Sequence, residues 1–271
     1  MHKPIIGIVG LGFVGGSVKK WFENQGHKVV TYDIAKECTG KESFNEADYI
    51  FVCVPTPYKY GKCETKIVES TFEWLPKNKV IVIKSTIPPG TTEKMQNQYD
   101  GDVIFNPEFL DASKAEYDFE FPERQIIGYG KVGIDPEKIW ELESILPKAH
   151  HLFRMTSMEA ECVKYMGNTF FALKNVFANM WYDYCEKMGI DYDKVRQAVG
   201  SDYRIGHVHL NAIHKGGRGA GGSCLPKDLG AAIYFFDEKM VDNEILKIAK
   251  QKNDKRLEQS RKTDFLGMYS L

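Results

Sequence analysis

The stretch Gly10-Leu-Gly12-Phe-Val-Gly15 follows a β-branched run, Lys3 to Val9, and opens an amphipathic helical pattern that stops at Gly26. A second run, Lys28 to Tyr32, ends on Asp33. Each glycine has a physical task. Gly10 makes the tight strand-to-helix turn, Gly12 lets the backbone approach a pyrophosphate, and Gly15 lets the helix pack close to the strand. The helix N-terminus then faces the phosphates with its unpaired amides. Asp33, 18 residues past Gly15, stands where a carboxylate accepts hydrogen bonds from a ribose 2′-hydroxyl. It would repel a 2′-phosphate, so NAD is favoured over NADP. Three spaced glycines alone mark only a turn; strand, helix, strand and acid in register make the dinucleotide reading the stronger one.

The alternation continues. Strand-like runs lie at Tyr49–Val54, Lys79–Lys84, Asp102–Phe105, Gln125–Gly130 and His150–Phe153, with helical stretches near Thr65–Leu75, Thr91–Gln98 and Pro136–Leu146. This repetition predicts a Rossmann-type, doubly wound parallel sheet, the α/β class. Ligands bind such sheets beyond the carboxyl ends of the strands. The segments there are Pro55-Thr56-Pro57, Ser85-Thr86-Ile-Pro-Pro-Gly90 and Asn106-Pro107-Glu108-Phe109-Leu110. Pro, Gly, Ser and Asn punctuate any turn. Three such segments on one edge, each offering a hydroxyl or a carboxylate, predict a lined pocket. Glu108 carries the most chemistry, as a base or a positioner of water, against the alternative of a solvated loop carboxylate.

Composition excludes several classes. Across 271 residues, 36 Lys and Arg balance 37 Asp and Glu, so nucleic acid is not an expected partner. The start, MHKPIIGIVG, carries no long apolar region ending in a small-residue cleavage site, so it is not expected to be a signal peptide, and the longest apolar run falls far short of the roughly 18 residues that span a bilayer. Six scattered cysteines form no CxxC pair, which argues against a zinc knuckle, a redox dithiol or a disulfide framework. A cytoplasmic protein with reduced thiols and no bound metal is expected.

The second half is helical. Thr156 and Glu159 form a capping-box signature, and the pattern then runs to Met188-Gly189. Lys164 and Asn168, four residues apart, share one face, with Asn175 and Asn179 near it further along. Such a stripe is often simply hydrated. Beside a nicotinamide, an ammonium and an amide together would stabilise a developing alkoxide. A shorter helix, Asp193 to Val199, and a charged one, Asp242 to Arg261, complete the pattern. Between them lies Gly219-Ala-Gly-Gly-Ser-Cys224-Leu-Pro-Lys-Asp228, where Cys224 is read as a filler, a ligand or a nucleophile on a loop.

Taken together, GLGFVG (10–15), CVPTP (53–57), STIPPGTT (85–92), NPEFL (106–110), the Lys164/Asn168 helix, DYRIG (202–206) and GGSCLPKD (221–228) resemble the UDP-glucose/GDP-mannose dehydrogenase family, in the family's order and over nearly the whole chain. The resemblance implies a UDP-glucose 6-dehydrogenase-like enzyme that oxidises a primary alcohol of a nucleotide sugar to the carboxylate with NAD. Cys224 would carry the thiohemiacetal and thioester, and Lys164 and Asn168 would stabilise the oxyanions. Asp228, Thr86 and Glu108 would organise proton transfer and the hydrolytic water. It further implies cofactor contacts from Gly10, Gly12, Phe13, Val14, Gly15, Asp33, Val54, Pro55, Thr56, Ser85, Thr86 and Lys227. Substrate contacts would come from Phe109, Leu110, Lys164, Asn168, Arg204 and Gly221, with Arg204 reaching a partner subunit in a homodimer. The implied organisation is an NAD-binding domain over residues 1–154 and a helical, dimer-forming domain over 155–271, without the third, nucleotide-binding domain of the relatives. Two other readings remain: a two-electron β-hydroxyacid-type dehydrogenase using Lys164 and Asn168 without the cysteine, and a non-catalytic NAD-binding module.

Overall fold

A computed structural model describes residues 3–130, 134–214 and 217–260. The expected end of the charged helix at Arg261 lies outside them. In chain order the elements begin β1 (Ile6–Val9), α1 (Phe13–Asn24), β2 (Val29–Tyr32), β3 (Tyr49–Val52), β4 (Tyr58–Lys59), β5 (Lys62–Cys63), α2 (Lys66–Phe72), β6 (Val80–Ile83), α3 (Thr91–Gln96) and β7 (Asp102–Phe105). They continue α4 (Ala115–Glu120), β8 (Arg124–Tyr129), α5 (Pro136–Ile145), β9 (His151–Thr156), α6 (Ser157–Met188), α7 (Tyr192–Gly200), β10 (Ile213–His214), β11 (Gly217–Arg218), α8 (Leu225–Glu238) and α9 (Glu244–Gln259).

The chain divides into two compact units, Met1–Thr56 with Thr65–Lys164, and Pro57–Glu64 with Tyr165–Leu271. The first holds a seven-stranded sheet in the order β2-β1-β3-β6-β7-β8-β9. β1, β3, β6 and β7 are buried along their whole length, which is why their residues are almost all apolar. Alternate residues feed two cores. Ile50, Val52, Ile81, Ile83, Val103 and Phe105 pack on one face with Val68, Met95 and Ala160. Ile6, Ile8, Phe51, Val82 and Ile104 pack on the other with Val18, Phe22, Phe119 and Leu142.

One expectation needs correction. The sheet is parallel only through β7; β8 pairs antiparallel with β7, and β9 runs parallel to β8. The link from β7 to β8 carries only the short α4 and makes no crossover, so β8 starts at the edge where β7 ended. The first residues of β8 therefore join the carboxyl edge of the other strands.

The second unit packs α8 and α9 with the greater part of α6 around Tyr165, Ala172, Leu229, Ala232 and Leu246. The β4–β5 hairpin belongs to this unit: Cys63 lies in its core, and Tyr58 occupies the space a Cβ at Gly230 would need. A smaller core holds Ala178, Cys185, Tyr192 and Leu210. The stretch after Cys224 is helical rather than loop, because Pro226 suits a first helical turn and Asp228 complements its dipole.

Candidate functional site

The glycine-rich turn has room where a dinucleotide's phosphates would lie. A Cβ at Gly12 would meet nothing within 4 Å, whereas one at Gly15 would lie 1.8 Å from the Gly10 carbonyl oxygen. Gly10 has φ +88, and a Cβ there would strike the Cys53 carbonyl, so the turn itself runs against the Cys53-Val54 backbone. Gly12 caps α1 without a side chain, leaving the first amides for a ligand. Asp33 accepts hydrogen bonds from Leu11 N (2.7 Å) and Ala35 N (2.8 Å), which hold its carboxyl below the usual range. It thereby fixes the turn itself while keeping lone pairs for a ribose. Phe13 is exposed beside the turn and Val14 half-buried. The residues present fit a dinucleotide.

At the carboxyl edge the predicted segments are tied to one another. The Ser85 hydroxyl donates to Val54 O at 2.7 Å, and Thr56 Oγ1 donates to Thr86 O at 2.7 Å, so the segments after β3 and β6 are laced side by side with Pro55 exposed between them. Lys164 Nζ donates to Glu108 O (2.6 Å) and Oε1 (3.0 Å), and both side chains are largely buried. The other carboxylate oxygen of Glu108 accepts from Leu110 N at 2.7 Å. Two cations lie over the Phe109 ring, Arg124 Cζ at 4.0 Å and Lys164 Nζ at 5.2 Å from its centre.

In the second unit, Asn168 Nδ2 donates to Asp228 Oδ2 at 2.5 Å, and Lys227 Nζ contacts Asp228 Oδ1 at 2.5 Å. Asp228 is fully buried, one helical turn beyond Cys224, whose carbonyl accepts from Asp228 N. Cys224 is exposed at the N-cap of α8, on the side where a helix carries partial positive charge. Burial works against the Lys227 ammonium, but Asp228, Cys63 and Cys224 outweigh it and leave its pKa raised. A thiol, a cation and a held carboxylate therefore occupy one turn. Gly221 is half-buried just before it, between Gly219 (φ +94) and Gly222 (φ +80).

Other predicted groups do different work. Asn179 Nδ2 donates to Asn175 O and Oδ1, Asn175 Nδ2 donates to Asn211 O, and Arg218 Nε donates to Asn179 Oδ1, so these asparagines bind Asn211 and Arg218 instead of forming a wet stripe. Arg204 is exposed, its guanidinium folded onto Asp202.

Two residues escaped sequence reasoning. Lys84, almost fully buried, donates to Asn106 Oδ1 (2.7 Å) and O (3.1 Å), and burial pulls its pKa down to about 8. Its one signal was a lysine closing the run Val-Ile-Val-Ile. Glu161, fully buried, accepts from Gly90 N, Thr92 N and Thr92 Oγ1. Its signal was a carboxylate one turn before Lys164.

Among the described residues no group of acids, histidines and cysteines is placed to hold a metal, and no helix is long and apolar enough to cross a membrane. Family models match residues 37–142 as the UDP-glucose/GDP-mannose dehydrogenase family, NAD binding domain, and residues 158–255 as the central domain of that family. A UDP-glucose 6-dehydrogenase of Rickettsia conorii is 36% identical over 226 residues, covering 78% of this chain and 50% of that protein. The structure of a UDP-glucose dehydrogenase from Pyrobaculum islandicum superposes with a TM-score of 0.82 at 30% identity, over 93% of this chain and 68% of that one. A Mycobacterium tuberculosis 3-hydroxyisobutyrate dehydrogenase shares the fold alone, with a TM-score of 0.73 at 15% identity over 94% of each chain. The chain spans about half the length of the curated relatives it matches.

Proposed function

The chain belongs to the UDP-glucose/GDP-mannose dehydrogenase family, and from that premise we propose that it catalyses the four-electron oxidation of a nucleotide sugar's primary alcohol to the carboxylate. The sugar is UDP-glucose-like in this reading. The observation that carries it is the turn at the start of α8: an exposed thiol followed by a buried carboxylate already hydrogen-bonded to Asn168.

Bound NAD supplies the hydride acceptor for each two-electron step. It would be held by Gly10, Gly12, Phe13, Val14, Gly15 and Asp33, and Val54, Pro55, Thr56, Ser85, Thr86 and Lys227 would complete its contacts. The substrate hydroxyl would pass its proton to a water held by Glu108, Thr86 and Asp228 as its carbon loses a hydride, leaving an aldehyde. The Cys224 thiolate would add to that carbonyl to form a thiohemiacetal whose oxyanion the Lys164 ammonium and the Asn168 amide would stabilise. Loss of a second hydride leaves a thioester. Water, oriented by Glu108, Thr86 and Asp228, adds to the acyl carbon; the C–S bond breaks and carboxylate and thiol are released. Phe109, Leu110 and Gly221 would contact the sugar, and Arg204 would reach the site of a partner subunit.

A homodimer belongs to the same proposal. The exposed row Met166, Phe170, Phe177, Trp181, Tyr184 and Met188 along α6 recurs every three, four or seven residues, the pattern of a surface covered by a second copy.

Lys164 and Asn168 alone would also serve a two-electron hydroxyacid dehydrogenase. The discriminating experiment supplies NAD with a panel of nucleotide sugars and simple 3-hydroxyacids, and identifies products by mass spectrometry. A sugar carboxylate supports the thioester route, and its loss in Cys224→Ser is expected. Turnover of a 3-hydroxyacid that survives Cys224→Ser contradicts it.

A further inference from the structure

The first turn of α3 has no cap of its own. Its N-cap is Gly90 at φ +91, a left-handed conformation without a side-chain oxygen, so the amides there need an acceptor from elsewhere. Glu161, on the second turn of α6, supplies it. Its Oε2 accepts from Gly90 N (2.5 Å), and its Oε1 accepts from Thr92 N (2.7 Å) and Thr92 Oγ1 (2.6 Å).

We propose that Glu161 is a positioning residue that ties the Ser85–Gly90 loop to the helix carrying Lys164, so that cofactor contacts and oxyanion donor are held by one helical turn. The proposal rests on the reading that this loop faces NAD. Three residues after Glu161, Lys164 grips Glu108, so this turn of α6 fixes two of the edge segments at once. Burial fits the role: Glu161 is fully buried, and no lysine, arginine or histidine among the described residues pairs with it. Its titratable neighbours are Glu93 on α3 and, on α6 itself, Cys162. Burial, reinforced by Glu93, pushes its pKa up to about 7 against the three donors. Protonation puts a hydrogen on one oxygen and removes an acceptor, so the tie loosens as pH falls through neutrality.

The test uses the whole chain, with NAD affinity by calorimetry at pH 6 and pH 8 and hydrogen exchange over residues 85–95. Wild type is expected to bind NAD more weakly at pH 6. Glu161→Gln should speed exchange over residues 85–95 selectively, raise the NAD Kd at pH 8 by about tenfold, as for one lost charge-assisted hydrogen bond, and abolish the pH dependence. Thr92→Val should move the same readouts in the same direction by less, and it carries the test if Glu161→Gln does not fold. Unchanged exchange in both variants overturns the proposal. So does faster exchange with unaltered affinity and pH dependence, since Glu161 would then be structural only. Failure of wild type to bind NAD overturns the cofactor reading itself, and the positioning role with it.

Discussion

Gly12 and Gly15 lie three residues apart in one turn and make opposite demands on a methyl group. At Gly15 a Cβ would sit 1.8 Å from a backbone oxygen, so Gly15→Ala should destabilise the protein by about 3 kcal/mol or more in urea unfolding. At Gly12 the added Cβ meets nothing, so Gly12→Ala should leave the unfolding midpoint in place and weaken NAD binding by calorimetry. Equal effects of both variants on stability would contradict the cradle. Lys84 gives a pH prediction. Its pKa is pulled from 10.5 to about 8 in the folded chain, chiefly by burial, so between these values the unfolded state holds the extra proton. Stability should therefore rise with pH from about 8 to about 10.5, by about 3 kcal/mol in total, and be lost again on returning to neutral pH. Lys84→Met should flatten that rise. Gly10 and Gly15 could be assigned from sequence because a side chain there would strike neighbouring backbone. Lys84 and Glu161 could not, because a lysine ending a strand and a glutamate on a helix are ordinarily solvated.

Among elements, the β-branched runs and the capping box were legible because local chemistry decides them. Thr156 and Glu159 exchange the expected reciprocal bonds, Thr156 N to Glu159 Oε2 at 2.8 Å and Glu159 N to Thr156 Oγ1 at 3.3 Å. Thr156→Ala should cost about 1 kcal/mol in denaturant unfolding. The reversed direction of β8 and β9 was not legible, since a buried run has the same composition whichever way it points. Direction is set by whether the connection crosses the sheet, and residues 106–123 carry too short a helix to announce that. The two-residue strands of the β4–β5 hairpin show no periodicity to read. The helix after Cys224 was hidden by the glycines before it, although Pro226 is an N-terminal signal.

At the scale of the molecule, the exposed apolar row on α6 predicts self-association. Sedimentation should give a dimer, and Phe170→Glu with Trp181→Glu should give a folded monomer; a monomeric wild type would contradict it. The chain spans about half the length of the curated relatives it matches, so its own turnover is the decisive question. The most direct measurement is NADH released per molecule of a limiting nucleotide sugar, compared between wild type and Cys224→Ser. Four-electron chemistry through a thioester predicts two NADH per sugar in wild type and no carboxylate from the serine variant. One NADH per substrate, undiminished in Cys224→Ser, would contradict the account.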